Sequence, residues 1–294
     1  MTATLPRAAS GGLGRFLEIQ NLGLNLPFAL AFFLLASMGK PSLWTLFLIV
    51  VAFVGARNAG HSFNRWTDRR LDAVNPRTRN RAMVTGATSS AFALGFCAAN
   101  AALLVGAAYL LNPLAFVLAP VALVLVLGYS YTKRVTSFTT AFLGLVQAIT
   151  PAAVYIGVTG TLPPVVLIAV GGFLAWGTAF ETIHSLGDVE SDRALGLFSV
   201  PVRFGVNASV RLVPVLHAVA LIALAVFGLE LRLTTAYFVA LFAMAVLVVV
   251  TDRALARAPT NARVPFERHF AMGAFYLVGV ALAVFVPLGP AWVF

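Results

Sequence analysis

Two stretches of the sequence carry acidic side chains at helical spacing. Asn64, Asp68 and Asp72 follow one another at four-residue intervals, and Asp188 and Asp192 repeat that interval much later. Side chains four residues apart project from the same face of a helix. Carboxylates presented in this way can hold Mg²⁺, a hard cation that completes its coordination shell with substrate phosphate oxygens and water. We therefore predict that these residues bind a divalent metal ion.

The composition indicates the environment in which these acids lie. The 294 residues are 60% hydrophobic and only 10% charged, with a mean hydropathy of +0.93, whereas roughly a quarter of the residues of a soluble domain are charged. The net charge of +10 comes from basic residues in short segments between long apolar runs, which argues for membrane topology and against nucleic-acid binding. The single cysteine, Cys97, excludes an intramolecular disulfide and a cysteine-rich zinc cluster.

Nine segments approach the roughly 20 apolar residues that a membrane-spanning helix needs. We therefore predict an all-α, polytopic membrane protein with nine transmembrane helices. Residues 1–15 are predicted to be a flexible cytoplasmic start, and residues 16–294 to form a single transmembrane domain. The predicted spans are residues 16–38, 42–64, 88–111, 113–132, 138–159, 163–187, 209–229, 234–251 and 268–288.

The distribution of basic residues predicts the orientation. If the amino terminus is cytoplasmic, nearly all Lys and Arg residues outside the spans face the cytoplasm, and Lys40 and Arg232 lie on the opposite side. An even number of predicted helices separates the two acidic stretches, so both lie at the cytoplasmic side. A solvated loop of Asp–Arg pairs, each contributing about 0–1 kcal/mol, is the competing interpretation. Two acidic copies on one side of the membrane favour the metal site.

Basic residues near the acidic stretches could bind an anionic substrate. Lys133 and Arg134 end the fourth predicted helix, where such a pair could also be a topology anchor. Arg57 lies about two turns before Asn64 on an otherwise apolar helix, and a guanidinium at membrane depth calls for an anionic partner. Carboxylates for a metal, bases for phosphate oxygens and an apolar bundle together predict a lipid diphosphate substrate.

Several short motifs accompany these residues and extend over most of the chain. The acidic stretches, the intervening Tyr129-x3-Lys133 and their flanking sequences together resemble the UbiA superfamily of intramembrane prenyltransferases. The resemblance implies nine helices in a bundle around a central cavity, with Mg²⁺ and diphosphate at its cytoplasmic mouth. The flanking sequences are Lys133-Arg134-Val135-Thr136-Ser137, followed by Gly144-Leu145, and Gly196-Leu197-Phe198-Ser199-Val200-Pro201-Val202-Arg203-Phe204-Gly205.

The sequence around the first acidic stretch is similar to one branch of that superfamily, the 4-hydroxybenzoate polyprenyltransferases and their menaquinone-pathway relatives, of which the latter use a dihydroxynaphthoate. The similar residues are Phe63-Asn64-Arg65, Asp68-Arg69 and Asp72-Ala73-x-Asn75-Pro76-Arg77-Thr78. Glu18-Ile19 and Leu26-Pro27-Phe28-Ala29 are also similar to this branch. Arg65, Glu181 and the run Met83-Val84-Thr85-Gly86 depart from the usual pattern. The resemblance implies transfer of a polyprenyl group from its diphosphate to the ring of an aromatic acid in ubiquinone or menaquinone biosynthesis.

The resemblance also implies roles for individual residues. Asp68 and Asp188 would act in catalysis through Mg²⁺, together with Arg134 on the aromatic carboxylate and Glu181 on the phenol, although Glu181 could equally be a buried hydrogen-bond partner. The predicted substrate-binding residues are Arg57, Asn64, Tyr129, Lys133, Arg134 and Arg203, and the predicted metal ligands are Asn64, Asp68, Asp72, Asp188 and Asp192.

Other functions remain open at this point. A related enzyme could prenylate haem, a chlorophyll-type acceptor or a lipid, and a transporter or lipid-binding protein could use the same intramembrane charges. A CDP-alcohol phosphotransferase does not fit, because its compact D-x2-D-G-x2-A-R pattern is absent. The expected partners are the polyprenyl diphosphate, the aromatic acid and the lipid bilayer of a bacterial-type inner membrane, with no obligate protein partner.

Overall fold

The chain folds into helices connected by short loops. The computed structural model describes residues 25–261 and 263–286, apart from the side chains of residues 263, 264 and 266, and no strand occurs in these ranges. The helices are α1 (Leu26–Ala36), α2 (Leu43–Thr67), α3 (Arg69–Val74), α4 (Ser90–Leu111), α5 (Pro113–Thr132), α6 (Thr139–Thr159), α7 (Pro164–Leu186), α8 (Val189–Ala194), α9 (Val200–Phe204), α10 (Val206–Glu230), α11 (Thr235–Arg257) and α12 (Arg263–Phe285).

Eight of these helices are long and apolar enough to cross a membrane, namely α2, α4, α5, α6, α7, α10, α11 and α12. The shorter apolar helix α1 falls within the first predicted span, whose beginning, with Glu18, lies outside the described residues. The all-α membrane fold is therefore confirmed, whereas nine spans and the flexible start at residues 1–15 stay predictions. The largest difference in boundary is at α11, which continues from the predicted residue 251 to Arg257.

The long helices pack mainly against their neighbours in the sequence. The contacts run from α2 through α4, α5, α6 and α7 to α10, α11 and α12, and α1 packs against both α12 and α6. Aromatic rings on the inner faces fill the centre, with Phe28 4.8 Å from Phe173 and Phe32 5.6 Å from Phe227 between ring centroids. Outward side chains such as Val124 are exposed, as expected for a surface that faces lipid.

Both acidic stretches lie where a long helix breaks into a six-residue helix. Asp68 separates α2 from α3, and Asp188 follows the end of α7 and precedes α8. The backbone N–H of Asp72 bonds to the carbonyl of Asp68 at 2.8 Å, and that of Asp192 bonds to the carbonyl of Asp188 at 2.8 Å. The helix that the spacing of Asn64, Asp68 and Asp72 predicts is thus interrupted at Asp68 and resumes in α3.

Helices α6 and α7 approach closely through glycine. A Cβ atom on Gly177 would lie 2.8 Å from the Cα of Gly144, and a Cβ atom on Gly144 would lie 2.7 Å from the backbone nitrogen of Thr178. Small residues at such a contact let two helix backbones come together in a membrane. One turn further along each helix, Gln147 and Glu181 come within hydrogen-bonding distance, at 3.0 Å.

Candidate active site at one end of the bundle

Asp68 is held by side chains from two parts of the chain. Its Oδ2 atom lies 2.6 Å from Nζ of Lys133, and its Oδ1 atom accepts a 3.0 Å hydrogen bond from Arg134. Asn64, one turn earlier in α2, donates a 2.9 Å hydrogen bond to Oδ2, and Arg134 also reaches the backbone carbonyl of Thr67. The carboxylate is 2% exposed. The structure therefore brings Lys133 and Arg134 to the first acidic stretch.

Asp72 points to a different partner. Its Oδ1 atom forms a 2.7 Å ion pair with Arg81, and Thr78 donates to its backbone carbonyl. Its second oxygen, Oδ2, is buried and has no hydrogen-bond partner among the described residues. A buried carboxylate oxygen without a donor is costly, so it marks a position where a cation or a donor from a ligand would be stabilised.

Asp188 joins the second acidic stretch to the loop that follows the first. Arg77 donates two hydrogen bonds to the carboxylate, from Nε to Oδ1 at 2.9 Å and from a second guanidinium nitrogen to Oδ2. Asn75 also donates to Oδ1, at 3.0 Å. Such fork-like pairing fixes geometry as well as charge. Residues more than 100 positions apart in sequence are therefore brought to one end of the bundle.

The two acids of the second stretch have opposite electrostatic environments. Burial would raise the pKa of Asp188, but the hydrogen bonds and charge of Arg77, with help from His184 and Asn75, hold that pKa below its ordinary value. Burial and the adjacent charge of Asp188 raise the pKa of Asp192 to about 6, and Lys133 and Arg77 only partly oppose this. Negative charge at Asp192 is therefore undercompensated in the protein alone.

The donor set has the chemistry of a magnesium site that the substrate completes. Within the described residues, no three His, Cys, Asp or Glu side chains converge closely enough to hold a metal ion by themselves. Mg²⁺ normally takes only one or two protein carboxylates and fills the remaining positions with water and phosphate oxygens. The Asp188–Asp192 pair and the orphaned Oδ2 of Asp72 suit an ion that arrives with a diphosphate.

Tyr129 lies in α5, one turn before Lys133, and Glu181 lies in α7, about two turns before Asp188, so both lie nearer the middle of their helices than the ion pairs. The Tyr129 hydroxyl is within electrostatic range of Asp68, Glu181, Arg65 and Arg81, so the predicted Tyr129-x3-Lys133 motif does face this region. Glu181 accepts the hydrogen bond from Gln147, and its other oxygen lies 3.7 Å from Nδ1 of His184. These residues form a polar layer beneath the ion pairs.

Two predicted substrate-binding residues lie apart from these contacts. Arg57 donates a 3.2 Å hydrogen bond to Asn58, which in turn bonds to Asn100 of α4. Arg203, in α9, is exposed and lines an open groove of about 530 Å³ between α9 and the loop after α5. That groove is also lined by Phe138 and Phe198, and the backbone N–H of Phe198 bonds to the carbonyl of Lys133. Substrate contact by Arg57 and Arg203 stays a prediction.

Four residues of the site were not singled out from the sequence. Asn75, Arg77 and Arg81 neutralise Asp188 and Asp72, and Gln147 orients Glu181. Asn75 and Arg77 belong to the Asp72-to-Thr78 run that carried the family resemblance, which was the available signal. Nothing in the sequence marked Gln147, since it lies on an apolar helix and its role depends on the approach of α6 to α7.

Comparison with known proteins identifies relatives across most of the chain. The profile of the UbiA prenyltransferase family matches residues 25–277. The 4-hydroxybenzoate octaprenyltransferase of Xylella fastidiosa (strain 9a5c) is 30% identical over 253 residues, which are 85% of this chain and 83% of the relative. The enzyme of the same name from Nitrosomonas eutropha is 30% identical over 250 residues, covering 84% and 87% of the two chains.

Solved structures share the fold. The apo structure of a UbiA homolog from Aeropyrum pernix K1 superposes with a TM-score of 0.82 at 27% identity and covers 90% of this chain and 98% of that one. A UbiA homolog from Archaeoglobus fulgidus, bound to GPP and Mg²⁺, superposes with a TM-score of 0.73 at 20% identity and covers 92% and 99% of the two chains. The helical arrangement is therefore common to all three proteins.

Proposed function

We propose that this chain, which belongs to the UbiA prenyltransferase family, transfers a polyprenyl group from a polyprenyl diphosphate to the ring of an aromatic acid, with Mg²⁺ as its metal. The observation that carries the proposal is the meeting of both aspartate motifs with Lys133, Arg134 and Arg77 at one end of an apolar bundle. Such a site offers carboxylates to a cation, bases to a diphosphate and an apolar interior to a prenyl chain.

The ion pairs of the ligand-free protein support this substrate class. Lys133 and Arg134 neutralise Asp68, and Arg77 neutralises Asp188. A magnesium diphosphate carries both kinds of charge. Asp68 and Asp188 would hold the metal, Lys133 and Arg77 would then bind the diphosphate oxygens, and Arg134 would be free for the aromatic carboxylate. The buried charges stay compensated throughout this exchange, which avoids the cost of an unpaired buried ion.

The residues divide the chemistry among them. Asn64, Asp68, Asp72, Asp188 and Asp192 would hold Mg²⁺. When bound, the ion neutralises the negative charge that develops on the departing diphosphate. Lys133 and Arg57 would contact diphosphate oxygens, and the exposed Arg203 would bind substrate at the entrance. The apolar helices below exclude water from the allylic cation that remains.

The acceptor is proposed to be 4-hydroxybenzoate or a dihydroxynaphthoate, and the relatives from Xylella fastidiosa and Nitrosomonas eutropha are named for the former. Glu181 lies in the polar layer beneath the ion pairs, where its carboxylate would orient or deprotonate the phenol. Arg134, released from Asp68, would bind the aromatic carboxylate, and Tyr129 would line the same space. The ring carbon beside the hydroxyl then attacks the allylic cation.

We further propose that the protein lies in a bacterial-type inner membrane with this end of the bundle in the cytoplasm. The basic residues of the site and of the loops on the same side support that orientation. The prenyl diphosphate would then enter from the cytoplasmic face, with its chain among the helices, and the pyrophosphate product would leave into water.

The test is a prenylation assay with purified protein in detergent or proteoliposomes. The protein is incubated with Mg²⁺, a polyprenyl diphosphate and one acceptor at a time, namely 4-hydroxybenzoate, 1,4-dihydroxy-2-naphthoate or 1,4-dihydroxy-6-naphthoate. We expect a prenylated product, identified by mass, that disappears when EDTA removes the metal. Binding of the diphosphate without Mg²⁺ and without pyrophosphate release would instead indicate a transporter or lipid-binding protein and would contradict the proposal.

A further inference from the structure

A second group of polar side chains lies inside the bundle, away from the aspartate motifs. His217 of α10 and His269 of α12 are 0% and 2% exposed, and their rings lie 5.6 Å apart between centroids. Trp176 of α7 packs against both rings, at 5.3 Å and 5.1 Å. Nδ1 of His217 lies 2.9 Å and 3.2 Å from the two carboxylate oxygens of Asp252 in α11. We call His217, Asp252 and His269 the histidine cluster.

The hydrogen bonds of the cluster fix which ring nitrogens carry protons. A carboxylate and a backbone carbonyl can only accept, so Nδ1 of His217 donates to Asp252, and Nδ1 of His269 donates to the carbonyl of Pro265 at 2.8 Å. In the neutral rings, Nε2 therefore carries a lone pair. Both Nε2 atoms are buried and have no partner among the described residues. The cluster presents two bare acceptors in a low-dielectric interior.

A small cavity connects this cluster with the polar layer of the candidate active site. It is lined by Asn25, Gln147, Trp176, Phe180 and His269 and has a volume of about 10 Å³, close to the roughly 10–15 Å³ that one water molecule requires. Gln147 also donates to Glu181. Gln147 therefore contacts Glu181 and also lines the cavity that His269 lines.

Ring prenylation releases a proton that must be removed. The bond between the allylic carbon and the diphosphate oxygen breaks, and the oxygen keeps the electron pair. A ring carbon beside the hydroxyl forms the new carbon–carbon bond, and the same carbon then loses its proton while the C–H electron pair restores aromaticity. In a water-poor site, this proton needs a positioned base and a route to water.

We propose that the histidine cluster is the proton acceptor for this step. Glu181 takes the proton from the ring, water in the cavity carries it past Gln147 to Nε2 of His269, and the His217–Asp252 pair stabilises the imidazolium charge. Asp252 is the partly exposed member, with a side chain 14% exposed, and it lies in the last turns of α11 beside the exposed Arg253. The imidazolium proton leaves to water along the same cavity when the product departs, which returns both rings to their neutral, Nδ1-protonated state. This inference rests on the proposed function.

A purely structural tie between α10 and α11 would need only the His217–Asp252 bond. It would not require a second buried histidine, His269, that lines a cavity together with Gln147 and whose Nε2 has no donor among the described residues. Each buried acceptor without a donor is costly. Ionisable side chains at membrane depth are expensive and commonly mark proton pathways. The pairing of a carboxylate with Nδ1 is also the arrangement that makes Nε2 of a histidine a general base in hydrolases.

Asp252→Asn tests the relay with little change in volume. The amide lets His217 adopt the opposite tautomer, with its proton on Nε2. The variant therefore loses the acceptor at Nε2 of His217 and the carboxylate charge that stabilises the imidazolium. With 4-hydroxybenzoate deuterated at both carbons beside the hydroxyl, we expect no isotope effect on wild-type turnover. In Asp252→Asn and His269→Gln we expect kcat to fall on the order of 100-fold, a normal primary isotope effect, and an unchanged KM for the prenyl diphosphate.

Thr251→Val is the matched control, because the Thr251 hydroxyl is buried beside Asp252 and bonds only to the backbone carbonyl of Leu247 in its own helix. It should keep wild-type turnover without an isotope effect. Unchanged turnover in both cluster variants, or a loss of turnover without an isotope effect, would overturn the relay. Absence of product from the wild-type protein with each of the three acceptors would instead refute the proposed function.

A second measurement tests the cluster independently of turnover. Nitrogen NMR of the histidine-labelled wild-type protein in detergent should show two neutral rings protonated at Nδ1 that respond to Asp252→Asn and His269→Gln respectively. In Asp252→Asn, the resonance of His217 should change to the Nε2-protonated form. Wild-type rings already protonated at Nε2 would remove the acceptors and overturn the inference.

Discussion

Asp68 and Asp188 occupy equivalent places in two copies of one backbone arrangement, each at the end of a long helix and followed by a six-residue helix that carries a second aspartate. The charges around the two copies differ. Asp68 has Lys133, Arg134 and Asn64 as partners, and Asp72 has Arg81. In the second copy, Asp188 has Arg77, whereas Asp192 keeps a pKa raised to about 6.

From this difference we expect the two motifs to respond differently to a magnesium diphosphate. A cation approaching Asp68 must displace two bases, so the first motif favours a ligand that also supplies an anion for those bases. Asp192 has excess negative potential before any ligand arrives, so it attracts a cation directly. The first motif is thus suited to the magnesium diphosphate as a unit and the second to the metal ion.

The largest effect is expected at the most neutralised carboxylate. Asp68→Asn keeps the size of the side chain but releases Lys133 and Arg134 from their common partner. Prenylation should fall about 10³-fold, the order expected when a main electrostatic element of a catalytic site is lost. The measurement is turnover by product mass, with size-exclusion profiles in detergent to verify folding. Activity within a few-fold of wild type would break the assignment of Asp68 to the site.

The comparison also predicts opposite stability effects at the second motif. A raised carboxyl pKa contributes stability that is complete below the unfolded pKa and is lost as the pH rises through about 6. Without Mg²⁺ at pH 7.5, Asp192→Asn should therefore stabilise the protein by on the order of 2 kcal/mol, since one pKa unit corresponds to about 1.4 kcal/mol. This gain should shrink as the pH falls below 6.

Asp188→Asn should instead destabilise the protein at pH 7.5, because the lowered pKa of Asp188 contributes stability that is present above the unfolded pKa. Thermal unfolding of both variants in detergent at pH 5 and pH 7.5 would measure the difference. Mg²⁺ should raise the Tm of the wild type more than that of Asp192→Asn. A destabilised Asp192→Asn at pH 7.5 would show that the charge of Asp192 is already compensated.

An intermediate effect is expected at the contact that joins the two motifs. Arg77→Gln removes the fork on Asp188 but leaves Asn75 in place. Because the Arg77 side chain is 45% exposed, the loss should be about 10-fold, near the low end for a charge-assisted hydrogen bond. It should appear mainly in the KM for the prenyl diphosphate. A loss as large as that of Asp68→Asn would mean that the two motifs act as one unit.

The smallest effect is expected at Arg203, which lies outside both sets of ion pairs. Arg203→Ala should raise the KM for the prenyl diphosphate about 2- to 3-fold, as for other exposed charge interactions, and leave kcat unchanged. Raising the salt concentration should reduce the difference from wild type. If salt has no influence on the ratio, Arg203 does not act through its charge.

Sequence reasoning was most successful where physical patterns are local. Apolar length predicted the long helices, and the even number of predicted helices between the two acidic stretches predicted that both lie at one end of the bundle. It failed where partners come from distant segments. The ion pair between Arg77 and Asp188 spans 111 positions, and the His217–Asp252 bond joins helices whose polar residues look isolated in the sequence.

The contact between Gly144 and Gly177 has a consequence for substrate range. It sets the separation of two helix backbones, and Gln147 and Glu181 meet one turn away because that separation is small. A single methyl group at either glycine forces the helices apart and widens the space beneath the ion pairs without altering a charged residue. Under the proposed function, we expect Gly144→Ala and Gly177→Ala to change which aromatic acids are prenylated while leaving the residues proposed to bind the diphosphate unaltered.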